Sequence, residues 1–276
     1  MKKLLILLVI ALNTLRIEAQ EPNLITKPLV IGHVKTISSK VLNEDRVLNI
    51  YLPHDYDSSK SYPVIYLLDG SMNEDFLHIV GIVQFFNLQF KMPEFLVVGI
   101  ANVDRKRDFT FHTDLKDLQK KYPTTGHSDA FIKFIEEELQ PFVATQYKTT
   151  ATKYLIGQSL GGLLATEVLL KKPQLFTHYL IVSPSLWWDN ESLLKQAKSL
   201  IDKQKDIDVY AYISVGKGED KIMQREANEI KDILQNADKK KIKTDFKLMV
   251  DDNHATILHR SIYEAFLKLF PFKEND

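Results

Sequence analysis

The chain has 276 residues, 45% of them apolar, with 36 Lys and Arg balanced by 36 Asp and Glu and no cysteine. That length and apolar content suit one large globular domain and exclude a disordered or fibrous chain. Zero net charge argues against a nucleic-acid partner. The absence of thiols removes disulfides, thiolate metal sites and a cysteine nucleophile, so chemistry falls to oxygen and nitrogen side chains.

At the N-terminus, Lys2 and Lys3 precede an apolar run from Leu4 to Leu12, and Asn13, Arg16 and Glu18 end it before the small residue Ala19. This pattern predicts a secretory signal peptide over residues 1–19, followed by one domain over 20–276. The apolar run is too short for a comfortable membrane span, and no second one of about 20 residues follows. The expectation is therefore an exported chain, periplasmic or secreted, with no stable membrane anchor after cleavage.

Val30 to Thr36 and Arg46 to Leu52 read as an opening antiparallel pair. Pro63 to Leu68, Phe95 to Ala101, Lys153 to Gly157, His178 to Ser183, Val209 to Val215 and Phe246 to Val250 are short apolar runs of strand length. Continuous runs of this kind suit strands covered on both faces. Helical periodicity marks Ala130 to Val143, Leu163 to Leu170, Glu219 to Leu234 and Thr256 to Phe270. The alternation predicts an α/β fold with a mostly parallel sheet and helices on both faces. Asn102 to Gly126 is polar and aromatic without a clear period, and a loop of that length is usually functional. The Lys239 to Lys243 cluster reads as a solvated turn.

The chemistry gathers at strand ends. Leu68-Asp69-Gly70-Ser71-Met72 follows the first parallel strand, where a backbone N–H, best that of Ser71, is placed to stabilise an oxyanion. Lys153 to Gly162 runs as a strand into Gly157-Gln158-Ser159-Leu160-Gly161, and a helix follows. This is a nucleophile elbow, which presents the Ser159 hydroxyl on a strained turn and aims the Leu160 N–H at the same point. Gly157 and Gly161 are expected because a side chain there would collide with the adjoining strand and helix.

A serine needs an imidazole to take its proton and a carboxylate to hold that imidazole. The chain order Ser, acid, His leaves His178, His254 and His259. His178 comes too early and His259 falls inside a helix, so His254, in the loop Asp251 to Ala255, is the expected base. Glu219 and Asp220, after the strand Val209 to Val215, compete as the acid, the other serving to cap the next helix. No His-Glu-x-x-His or other clustered His ligands appear, so neither metal nor cofactor is expected.

Taken together, Tyr66 to Gly70, the elbow Gly157 to Gly162, the Gly216 to Glu219 turn and Asn253-His254 resemble the esterase family of α/β hydrolases. That family includes enterochelin and other siderophore esterases, feruloyl and acetylxylan esterases, and esterase D. The resemblance implies an α/β-hydrolase fold and a serine esterase with Ser159 as nucleophile, His254 as base and Glu219, over Asp220, as acid. It also implies the amides of Leu160 and Ser71 as oxyanion donors and a small-molecule ester as partner. Arg105 to Thr110 is similar to a segment of the siderophore-esterase branch, which favours a catecholate trilactone substrate. Arg105, Arg107, Trp187 and Trp188 are candidate substrate contacts, the arginines if they face the pocket, while the tryptophans read equally well as core or rim packing. An esterase acting on feruloyl or acetyl groups of glycans is the alternative enzyme, and a binding protein on a hydrolase scaffold is the alternative of another class.

Overall fold

The computed structural model describes residues 26–272. The predicted signal peptide, residues 1–19, lies outside them. From residue 32 the chain forms β1 (His33–Ser39), β2 (Glu44–Tyr51) and β3 (Tyr62–Leu67), then α1 (Phe76–Phe90) and β4 (Leu96–Ile100). Two short helices follow, α2 (Arg105–Phe109) and α3 (Lys116–Lys121), then α4 (Ser128–Phe134), a π-helical turn (Ile135–Leu139) and α5 (Gln140–Gln146). The second half alternates regularly: β5 (Thr149–Gln158), α6 (Leu160–Lys171), β6 (His178–Val182), α7 (Trp188–Asp202), β7 (Val209–Gly216), α8 (Lys221–Gln235), β8 (Ile242–Met249) and α9 (Ile257–Leu269).

All eight strands join one sheet in the order β1-β2-β4-β3-β5-β6-β7-β8. β2 pairs antiparallel with β1 and β4, and every other pairing is parallel. Strand parity assigns the core. Val64 and Tyr66 of β3, Leu155 of β5, Tyr179 and Ile181 of β6 and Ala211 and Ile213 of β7 pack on one face with α2 and α4 to α8. Their neighbours Ile65, Leu67, Ile156, Leu180 and Tyr212 point the other way, against α1 and α9. Both sets are buried, which is why these strands read as unbroken apolar runs. Each fully buried Leu or Ile contributes roughly 1.5–3 kcal/mol.

Three segments differ from the sequence expectation. Ala130 to Val143 is not one α-helix, because Pro141 stands at the start of α5 without an N–H to donate, and the chain passes this point through the π-helical turn. The polar stretch 102–126 contains α2 and α3, both too short to show a period. β8 starts at Ile242, inside the lysine cluster, because an edge strand tolerates alternating polar residues. The order reverses at β3, whose neighbours β4 and β5 lie on opposite sides, and such a reversal opens a crevice at the carboxyl ends of the strands.

Candidate active site

Ser159 follows the last residue of β5 and precedes α6. Its backbone lies at φ 60°, ψ −119°, a region costly for any side-chain-bearing residue by about 1–3 kcal/mol. Three bonds hold it there: its N–H donates to Val182 O (3.1 Å), and its carbonyl accepts from Leu163 N (2.9 Å) and Ser185 N (3.0 Å). Gly157 is required, since a Cβ there would stand 2.4 Å from the Gly161 carbonyl oxygen. Gly161 is not the tight position expected: a Cβ would meet Asp69 and Leu68 at 3.4–3.6 Å, ordinary contact distances. The tight one is Gly162, where a Cβ would press on Val182 O at 2.9 Å and Pro184 Cα at 3.0 Å.

Glu219 lies in the turn after β7, ahead of α8, and its side chain is 1% exposed. Oε2 meets His254 Nδ1 at 2.7 Å, while Oε1 accepts from Ser183 Oγ (2.5 Å) and from Gly216 N (2.7 Å). Burial alone would raise its pKa. The bonds from His254, Ser183 and the Gly216 N–H outweigh it and hold the carboxyl below the usual glutamate range. Asp220 does the other job, accepting from Ile222 N (2.8 Å) as the cap of α8. His254 is held from a second direction by Gln158 Nε2, which donates to its carbonyl (2.5 Å).

Ser159 and His254 share one cavity of about 350 Å³, lined also by Asp69, Glu74, Asp75, Arg105 and Gln158. The Ser159 hydroxyl is hydrogen-bonded to Ser185 Oγ (3.3 Å), and no hydrogen bond joins it to the His254 ring in this conformation. The Leu160 N–H stands in the first turn of α6, where a helix leaves its N–H groups unpaired. The Ser71 N–H points at Glu74 Oε2 over 3.3 Å, a weak bond.

Arg105 reaches the cavity, but its fork is engaged: Nε and Nη2 meet Asp69 Oδ1 and Oδ2 at 2.6 and 2.8 Å. Nη2 also lies 3.3 Å from Gln158 O, so Arg105 ties the loop after β3 to the elbow. Arg107 does not line the cavity. It joins Glu44 and Asp108 instead, because residues two apart on a helix point about 200° apart around its axis. Trp188 is fully buried with its Nε1 on Phe111 O (3.0 Å), so it packs the core and offers substrate nothing. Trp187 is half-buried against the same core and is also absent from the cavity wall. His178 stacks on Tyr154 at 4.0 Å, and burial lowers its pKa to about 4.

Sequence reasoning missed the acidic side of the cavity. Glu74 and Asp75 join Asp69 there, and burial, then the charges of Asp69 and Glu74, push Asp75 up to about 7 against the pull of Arg105. It also missed Ser185 and Ser183, the latter read only as the end of the strand His178 to Ser183. Among the described residues, no group of three or more His, Asp or Glu is placed to hold a metal ion.

Comparison with known proteins follows the same lines. The chain is 33% identical to the ferri-bacillibactin esterase BesA of Bacillus subtilis over 193 residues, which cover 62% of this chain and 64% of that protein. The crystal structure of an IroE-like serine hydrolase from Shewanella oneidensis superposes with a TM-score of 0.80 at 29% identity, covering 87% of this chain and 80% of that one. The BES protein of Bacillus cereus matches with a TM-score of 0.78 at 27% identity, over 87% and 97% of the two chains. The fold is that of the α/β hydrolases. The model of the family described as "Putative esterase" matches residues 39–259, and the chain belongs to that family.

Proposed function

We propose that the protein is an exported serine esterase that cleaves an ester-linked siderophore through Ser159, His254 and Glu219. The observation that carries this reading is the 2.7 Å contact of His254 Nδ1 with the buried Glu219 carboxylate, beside a cavity that His254 shares with a strained Ser159. An ionised Glu219 accepts a hydrogen bond from Nδ1–H, which leaves Nε2 of the neutral imidazole as the base. The Ser159 hydroxyl turns from Ser185 toward Nε2, gives up its proton and attacks the ester carbon. Hydrogen bonds of this kind are often loose before substrate arrives.

The tetrahedral oxygen takes the Leu160 N–H at the positive end of α6 and the Ser71 N–H, which gives up its weak bond to Glu74. The imidazolium returns its proton to the leaving alcohol, and water then attacks the acyl-enzyme by the same relay. Similarity to a ferri-bacillibactin esterase supports the siderophore substrate. Of the two expected cationic contacts, Arg105 lines the cavity with its fork engaged by Asp69, and Arg107 lies away from it.

The test is hydrolysis of a catecholate trilactone, with and without iron, beside a feruloylated sugar and acetylated xylan. Preference for the trilactone is expected; turnover of the glycans alone would overturn the substrate. Export is tested by the N-terminal sequence of the native protein, expected to begin after Ala19, and a mature chain starting at Met1 would refute it.

A further inference from the structure

The turn that follows β6, Ser183-Pro184-Ser185, touches both ends of the proposed relay. Ser183 is fully buried and sits at φ 43°, a left-handed conformation that favours glycine. Its N–H donates to Ser214 O (2.8 Å) on β7, and its hydroxyl donates to Glu219 Oε1 (2.5 Å). Two positions on, Ser185 donates its N–H to the Ser159 carbonyl (3.0 Å), and its hydroxyl lies 3.3 Å from the Ser159 hydroxyl. Only Gly162 lets the turn come this close, since any side chain there would strike Val182 O and Pro184.

If the turn needed only its backbone shape, glycine would serve at 183 without strain. A serine there instead puts a donor on the carboxylate oxygen that faces away from His254. A carboxylate with two oxygens can swing, and a swing of either oxygen carries the imidazole with it. With Oε1 pinned by Ser183 and by the Gly216 N–H, Oε2 has one place to be, on His254 Nδ1. We infer that Ser183 is a positioning residue of the catalytic relay, acting through Glu219 by fixing which oxygen meets His254 and by drawing off part of the carboxylate's basicity. The inference rests on the reading of Ser159, His254 and Glu219 proposed above.

The sign of the second effect follows from the hydrogen bonds. Without the Ser183 donor the Glu219 carboxylate is more basic, the neighbouring imidazolium is better stabilised, and more alkaline conditions are needed to keep His254 neutral.

The experiment compares Ser183→Gly, Ser183→Ala and Ser159→Ala with the full-length parent on a p-nitrophenyl ester, over pH 5 to 9. Far-UV circular dichroism and a thermal midpoint confirm folding. Ser183→Gly is the decisive variant because glycine takes the positive φ without strain while the hydroxyl is lost with the rest of the side chain, and Ser183→Ala removes the hydroxyl alone. A folded Ser183→Gly protein is expected to lose about tenfold in kcat with KM unchanged, a drop worth about 1.4 kcal/mol. The acid limb of its kcat/KM profile should move up by about half a pH unit. Ser183→Ala should show the same two changes on a lower thermal midpoint. Parent-like kcat and pH profile in Ser183→Gly, with inactive Ser159→Ala, would overturn the role of Ser183 alone. Activity retained in Ser159→Ala would instead overturn the underlying reading of the site.

Discussion

Two groups of buried charge in this fold behave differently. Under α2, Arg46 is fully buried and contacts Asp108 (2.7 Å) and Glu44 (2.8 Å), while Arg107 contacts the same two carboxylates. Two cations face two anions, and the Arg46 guanidinium lies 5.0 Å from the centre of the Phe131 ring. At the carboxyl ends of β5, β7 and β8, Glu219 is equally buried, yet its partner His254 is 44% exposed on the ring side and opens onto a cavity. The first group is closed: every charge is answered by protein. In the second, charge is answered on one side only and the other side opens onto the cavity. Burial and hydrogen bonding do not separate a structural ion cluster from a reactive one. The open side does.

Substitutions sharpen this contrast, the largest effects falling on the open group. Ser159→Ala should remove nearly all turnover of a p-nitrophenyl ester, by about 10⁴-fold or more, with the thermal midpoint close to the parent's. Glu219→Gln should lower kcat by about 10²- to 10⁴-fold, because an amide does not stabilise the imidazolium. Asp220→Asn, one residue away, should leave kcat within about twofold. Similar kinetic losses at 219 and 220 would break the assignment of the acid.

The closed group should respond in stability. Arg46→Met leaves Asp108 and Glu44 short of a partner and should cost about 3–5 kcal/mol in urea unfolding, with kcat per folded molecule unchanged. A fall in kcat would join the two regions after all.

The smallest effect on stability concerns Glu226, whose fully buried side chain is paired, among the described residues, with the Arg225 guanidinium at 3.5 Å. Burial first, then the charge of Glu191, pushes it up to about 7. The native state therefore keeps a proton that the unfolded chain has released, and stability is lost as pH rises from about 4.5 to about 7. Glu226→Gln should flatten that slope, by about 1–3 kcal/mol between pH 5 and pH 8, read from unfolding midpoints.

What could be read in advance followed the range of the interaction involved. The elbow is local: a strand, a Gly-x-Ser-x-Gly turn and a helix follow one another directly between Thr149 and Lys171, and the backbone at Ser159 follows from their order. The carboxylates at 219 and 220 were equivalent by spacing. They parted because the chain turns into α8 between them, leaving Asp220 to cap the helix while Glu219 folds back over β7 toward His254. Arg105 and Arg107 were equally equivalent on paper and face opposite ways on one short helix. Trp187 and Trp188 looked like pocket walls because an aromatic pair beside a strand end carries no mark of which way it points.

By itself, the sequence determined the sheet, its two covered faces and the strand-turn-helix elbow at Ser159, since parity, helical period and a glycine-bounded turn act over neighbouring residues. Only the tertiary structure decided which carboxylate holds the histidine, which cations are already engaged and which serines contact Glu219 and Ser159. Those choices depend on contacts between residues 26 to 36 positions apart, where burial and hydrogen-bond geometry, and not local preference, set the outcome.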